Sequence, residues 1–558
     1  MHYLPLTRLA CLTLLVFTGA VGAQGVQYPA TRTVSHEDDY GGIKVRDPYR
    51  WLEDLNAADT KAWIGAQNGV TRGYLDALPM RAHFNARITE LWNYPKTSIP
   101  FRAGGRLWYR RNSGLQQQSV LYSRATVSGP VRKVLDPNEL SPDGSLALTL
   151  TTPSPNGKYL AVGVSEGGSD WRTVTIRELA TGKVARDTVK FIKFSGVSWT
   201  KDAKGFFYSR YPEPSADDAL KGALSNQRLY YHRLGTAQAS DVLVYERNDQ
   251  PSWFISGQVT EDGRYLLISM SRGSDSNNQL FYANLGDPQA PAVKARVKPL
   301  FETWDAAYNP VANVGSTIYM WTDRDAPKQK IVAFDITKPA RWTTIVPESK
   351  DAIDQVAVLK GRIAVNYLDD VKAKVRFFGL DGRALGGLAL PGIGTLAGMR
   401  AREDGSEMFY AFTSPLYPTT VFRWDAATGK STPFEPPMTS FDPSAYETKQ
   451  VFAQSKDGTR VPMFITQRRG TTLNGANPTM LYAYGGFNIS ITPDYAPDIP
   501  AWLEQGGIYV TASLRGGGEY GEAWHKAGMF ERKQNVFDDF IAAVPYSFHR
   551  ILLRGRSA

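Results

Sequence analysis

Gly157-Lys158-Tyr159-Leu160-Ala161 and Gly263-Arg264-Tyr265-Leu266-Leu267 share one design: a glycine that permits a tight turn, a cationic residue, then a tyrosine opening an apolar run. Five more stretches follow the same plan of a glycine leading into a β-rich run: Gly105-Arg106-Leu107-Trp108-Tyr109, Gly205-Phe206-Phe207-Tyr208, Gly315-Ser316-Thr317-Ile318-Tyr319, Gly361-Arg362-Ile363-Ala364-Val365 and Gly405-Ser406-Glu407-Met408-Phe409. Successive glycines are 52, 48, 58, 52, 46 and 44 residues apart, which is room for four short strands per unit. A four-stranded unit cannot cover both of its own faces, so seven of them stack around an axis. The pattern predicts a seven-bladed β-propeller over residues 92–440. A long pair of β-sandwiches is the competing reading of the pattern alone.

The composition agrees with that texture. Among 558 residues are 13 Trp, 28 Tyr and 25 Phe with 50 Gly and 34 Pro, a mixture suited to many short strands joined by tight turns. The net charge of +10 is dispersed, and Arg468-Arg469 and Arg554-Gly555-Arg556 are runs too short to mark a nucleic-acid surface.

At the N-terminus, Arg8, an apolar run from Leu9 to Phe17 and Val21-Gly22-Ala23 read as an export signal over residues 1–23, too short for a stable span. Secretion, most simply to a periplasm, is the expectation, with no membrane anchor. The one cysteine, Cys11, falls within the signal, so the mature chain can form no disulfide and offers no thiol. Residues 24–91 look helical in part, because Trp63, Ile64, Val70, Tyr74 and Leu75 recur at near-3.6 spacing between Ala57 and Leu78. Before them, Asp47 to Asp54 reads as a turn followed by a helix start.

Beyond Thr448 the texture changes. Val451 to Phe464 reads as a hairpin around Lys456-Asp457-Gly458, Thr479 to Tyr484 and Gly507 to Leu514 as buried strands, and Asn535 to Tyr546 as a helix. Strands that end in glycine-rich loops ahead of a helix are typical of an α/β sheet, so residues 441–558 are expected to form part of one. The loops are Leu481-Tyr482-Ala483-Tyr484-Gly485-Gly486-Phe487-Asn488-Ile489-Ser490 and Leu514-Arg515-Gly516-Gly517-Gly518-Glu519-Tyr520-Gly521-Glu522-Ala523-Trp524-His525-Lys526. Taken alone, Gly485-Gly486 brings Tyr484 to a cleft edge, where a phenol can donate one hydrogen bond. An aromatic packed under a loop is the simpler local reading.

These two loops resemble the catalytic domain of prolyl oligopeptidase, and Asp47 to Asp54, Lys456 to Thr459 and Gln534 to Phe540 resemble it in the family's order. The resemblance implies a seven-bladed propeller joined to an α/β-hydrolase domain, with residues 24–91 packing on the latter. It implies cleavage of short peptides after proline, the propeller admitting only small substrates, and a monomer that needs no cofactor or metal. It gives Tyr484 the role of oxyanion donor, sets Phe487 against the proline ring and assigns Phe194 and Phe254 to a deeper substrate pocket. The Arg515 to Gly518 loop becomes a surface loop near the domain interface. It is no phosphate cradle, since no Lys-Ser/Thr follows it.

A decoy lies upstream. Gly163-Val164-Ser165-Glu166-Gly167 fits the nucleophile-elbow pattern, but that elbow must lie between a strand and a helix, whereas here another strand follows and the blade register puts Ser165 in a turn. The histidines are His2, His36, His83, His232, His525 and His549; none follows a serine elbow and an acid, and none has zinc-ligand spacing. His525 reads as a structural hydrogen-bonding residue. The family pattern stops after Ala543 in favour of Val544-Pro545-Tyr546 and a basic tail, with a proline inside the expected helix. The expectation is therefore a hydrolase domain lacking its serine, aspartate and histidine, inactive in this form. The alternative is a propeller kept for peptide binding or scaffolding.

Overall fold

The computed structural model describes residues 26–213, 224–472 and 477–548, so the export signal, Cys11, His549 and the Arg554-Arg556 run lie outside the described residues. The chain forms two compact units, the first running to Arg87 and the second from Ile88 onward. In the first, Glu37–Tyr40 pairs with Ile43–Arg46 as a hairpin. The Asp47 to Asp54 stretch is a turn with one 3-10 segment, Arg50–Glu53, whose arginine bridges Asp38, Asp47 and Glu53. The helix predicted from 3.6 spacing spans Ala58–Asp76.

The second unit opens with seven antiparallel sheets, each drawn from one uninterrupted stretch of chain. The innermost strands are Phe101–Ala103, Leu146–Pro153, Val197–Trp199, Trp253–Val259, Tyr308–Val314, Ala352–Leu359 and Thr395–Ala401, and we number blades one to seven in that order. In the first blade a short strand, Lys96–Thr97, shares the innermost position with Phe101–Ala103. Every glycine of the sequence repeat lies between the innermost strand and the second, either in the turn or at the start of the second strand. Some cannot be replaced: a Cβ on Gly157 would lie 2.6 Å from the Gly104 carbonyl oxygen of the neighbouring blade.

The ring follows from the apolar clusters. Trp108, Leu121, Leu148 and Leu160 fill the space between blades one and two. Similar clusters join two to three, three to four, four to five, five to six and six to seven. A seventh, with Leu107 and Tyr109 against Phe409, Ala411 and Phe434, joins seven back to one and closes the circle. Among the described residues no strand is exchanged at that seam. Ion pairs Arg102–Glu407 and Arg124–Glu435 supplement its apolar contact.

The C-terminal sheet has the strand order Tyr446–Gln454, Arg460–Arg468, Ile508–Ala512, Thr479–Ala483; only the last pair is parallel. A helix not foreseen from the sequence, Asp498–Glu504, precedes Ile508–Ala512; Pro497 and Pro500 obscure its pattern, yet prolines are tolerated in a first turn. The final helix, Gln534–Phe548, contains Pro545 and covers the helix read from the sequence over Asn535 to Tyr546. This sheet attaches to the propeller at the hairpins between second and third strands. Glu522 N–H donates to Pro327 O (2.9 Å) of blade five, Tyr520 OH to Asp370 Oδ1 (3.1 Å) of blade six, and Tyr495 N–H to Thr413 Oγ1 (3.1 Å) of blade seven.

Candidate active site on the C-terminal sheet

Two glycine loops leave the sheet side by side, from the parallel strands Thr479–Ala483 and Ile508–Ala512. They touch backbone to backbone. A Cβ on Gly485 would meet Val536 Cγ1 at 2.5 Å, and one on Gly516 would meet Gly485 O at 2.7 Å, so neither position has space for a side chain. Lys533 Nζ donates to Gly485 O (2.8 Å) and fixes the turn just after Tyr484. Tyr484 itself is 46% exposed, and no group among the described residues hydrogen-bonds its hydroxyl. Its ring lies 6.4 Å from that of Phe487, which is 68% exposed on a backbone with φ 55°. Two aromatic faces and one unused donor thus project together from a loop tied down from below.

The ties are buried and charged. Arg515 makes a two-pronged pair with Asp539 (Nε to Oδ2 2.9 Å, Nη2 to Oδ1 2.6 Å), and its own N–H donates to the same carboxylate (3.0 Å). A third carboxylate oxygen, from Asp457, lies 2.5 Å from Nη1, and this arginine holds Asp457 down at about 2. His525 Nδ1–H donates to Gly516 O (2.7 Å), and Asn488 N–H donates to the same carbonyl (3.1 Å). Glu519, fully buried, accepts from Ile491 N–H (2.8 Å), and burial pushes its carboxyl up to about 7.

The expectation of a surface loop at Arg515 to Gly518 is therefore corrected: Arg515 to Gly517 are buried, because the guanidinium needs both carboxylates and the glycines need the backbone contact. Asp539, Lys533 and Glu519 were not singled out from the sequence. A charge amid apolar helix residues, as Asp539 is, was the one available signal. His525 has the structural part expected of it.

Phe194 and Phe254 meet edge to face at 5.6 Å, on the side of blades three and four where the chain crosses between blades. Lys193 Nζ lies 5.3 Å from the Phe194 ring and 5.4 Å from Trp171. No ring contact links this pair to Tyr484 and Phe487 among the described residues. Ser165 lies within the strand Tyr159–Glu166, opposite Ala147 and buried, rather than in a turn. With no helix after it and no histidine beside it, it is not an elbow.

Comparison with known proteins accords with this geometry. The model of the prolyl oligopeptidase N-terminal β-propeller domain matches residues 28–437, and that of the prolyl oligopeptidase family matches residues 494–553. A prolyl endopeptidase of Elizabethkingia meningoseptica is 38% identical over 94% of this chain and 74% of its own length. Prolyl oligopeptidase B of Galerina marginata, solved with a 35-residue hydrolysis and macrocyclization substrate, superposes with a TM-score of 0.88 at 32% identity, covering 94% of this chain and 76% of that one. A structure from a study of two prolyl endopeptidases gives the same score at 35% identity over 94% and 77%. The chain thus spans about three quarters of these relatives.

Proposed function

Because this chain belongs to the prolyl oligopeptidase family, we propose that its fold serves serine-type hydrolysis of short peptides on the carboxyl side of proline, with the propeller limiting substrate size. In that reaction a serine oxygen attacks the proline carbonyl, and the carbonyl oxygen gains negative charge as it becomes tetrahedral. Tyr484 supplies a donor for that oxygen, and Phe487 lies beside it as a face for the proline ring. Phe194 and Phe254 extend the pocket on the propeller side. The observation that carries the reading is the unpartnered, half-exposed Tyr484 hydroxyl on a loop held rigidly from beneath.

Residues up to Ala558 contain the donor and no assigned nucleophile. The 558-residue polypeptide is accordingly expected to show no burst and no turnover on a proline-directed ester. Fusing residues 1–543 to the C-terminal part of the Elizabethkingia prolyl endopeptidase, of which this chain covers 74%, is expected to supply the nucleophile. In that fusion Tyr484→Phe should lower kcat about 10²–10³-fold with KM little changed. Serine-reagent-sensitive turnover by the 558-residue polypeptide, or full activity of Tyr484→Phe in the fusion, defeats the assignment. Export is proposed as well, with cleavage after Ala23; N-terminal sequencing of the exported product tests it.

A further inference from the structure

Side by side, propeller blades can touch only their neighbours, so a bond between blades that are not adjacent has to cross the central channel. Two such crossings occur among the described residues. Glu403 N–H of blade seven donates to Glu261 Oε2 of blade four (3.1 Å), and Arg402 Nη2 lies 2.6 Å from Glu261 Oε1. Asn313 N–H of blade five donates to Glu403 Oε2 (3.2 Å). The partners lie at the ends of the innermost strands or in the turns that follow them, the end of the channel opposite the hairpins that carry the C-terminal sheet.

The hollow space agrees. One cavity of about 910 Å³ is bounded by blades four to seven and one, and another of about 510 Å³ by blades one to four and seven. Both are lined by Arg102, Val259, Thr260, Glu261, Arg402 and Asp404. A chord from blade four to blade seven divides the mouth into these two lobes. We propose that Glu261, Arg402 and Glu403 form a charged bar across the channel mouth that faces away from the C-terminal sheet, so that this end admits nothing larger than a small molecule unless the bar parts. The bar deepens the size-filter reading and depends on it only for its consequence in substrate choice.

Each charged group around the bar has a place. Lys201 of blade three donates to Glu261 O (2.7 Å), Asp262 accepts from Asn313 Nδ2 (2.8 Å), Asp404 pairs with Arg402, and Arg102 is engaged by Glu407. Burial and the nearby Glu261 and Asp262 carboxylates lift Glu403 to about 7, against the opposing pull of Asn313 N–H and Arg402. Below that pH Glu403 is neutral and the crossing is relaxed. Above it a second negative charge faces Glu261, and the bar loosens.

The absence of cysteine after Cys11 makes a direct test available. In a Cys11→Ser background of the 558-residue chain, Ser256→Cys places a thiol in the larger cavity, and Ala290→Cys places one on the exposed surface as a reference for thiolate fraction. At pH 6 a maleimide carried on a bulky polymer should label the channel thiol about tenfold or more slowly than the reference, as a site opened only by local fluctuation. Glu261→Ala or Arg402→Met should remove most of that difference, with circular dichroism confirming an intact fold; either variant suffices if the other misfolds. The normalised rate should climb as pH passes 7, and Glu403→Gln should flatten the climb. Equal labelling of the two thiols with the bar intact, or no acceleration in a folded bar variant, overturns the proposal. Since no turnover is measured, the result is independent of the peptidase reading.

Discussion

The propeller and the C-terminal sheet solve the same problem differently. Each blade has both faces covered by neighbours, and the ring returns on itself through the contact of Phe409 and Phe434 with Tyr109. The C-terminal sheet ends in the strand Thr479–Ala483, which pairs on one side only among the described residues. Next to that edge Met480 and Tyr482 are exposed, and on the final helix so are Phe537, Phe540 and Ile541. Closure protects apolar surface and backbone alike, whereas an open edge leaves both to solvent. The lesson is that the stability of a module follows from whether its surfaces find partners, more than from how many apolar residues it contains.

The largest effect expected from this contrast is in limited proteolysis of the 558-residue polypeptide. Cuts should fall first after about Thr448 and leave a resistant core from near Tyr94 to near Pro437. Cleavage scattered through the blades, with Val451 to Tyr546 protected, would break the comparison. A smaller effect should separate the modules by their buried charges. Asp539→Ala leaves the Arg515 guanidinium buried with only Asp457 beside it, which should cost about 3 kcal/mol and lower the denaturation midpoint of the C-terminal module alone. A matching loss in the propeller transition would show that the two unfold together.

The smallest effect concerns pH and belongs to blade three. His232 is fully buried between Asp241 (2.7 Å from Nδ1) and Asp187 (3.1 Å from Nε2), and Tyr208 OH donates to Asp241 (2.6 Å). Burial alone would lower the imidazole's proton affinity, but the two carboxylates outweigh it and raise it. A raised histidine contributes stability that is complete below its unfolded value, about 6.5, and is lost as pH rises through the folded one. The propeller's stability should therefore fall as pH rises from 6 to 9, and His232→Gln should reduce that slope. An unchanged slope in His232→Gln assigns the pH dependence to other groups, Glu403 first among them.

Much of the architecture was legible because it repeats. A glycine turn before an apolar run recurs seven times, and a periodic signal survives irregularity in any one copy. The helix Ala58–Asp76 was legible for the same reason. What escaped notice was aperiodic. The crossing of the channel by Glu261 and Glu403 joins residues 142 apart whose local sequences mark only turns. The burial of Arg515 depends on Asp539 and Asp457, which lie on different elements, so no window of sequence contains the reason for it. Tyr484 was legible only through the resemblance of its loop, since an aromatic after a strand is usually just packing.

The seam between the first and last blades has a consequence for synthesis. Because, among the described residues, no blade borrows a strand from a distant part of the chain, every sheet can complete its hydrogen bonding as soon as its own stretch has left the ribosome. A ring with a shared strand would hold its first blade unfinished until the last had been translated. Here the sheets form in order of emergence, and only the joining of blade one to blade seven waits, until Glu435 is available to reach Arg124 and Tyr109. The slow, long-range step of folding is thereby confined to one side-chain interface, and the growing chain exposes at most the unfinished faces of its two end blades.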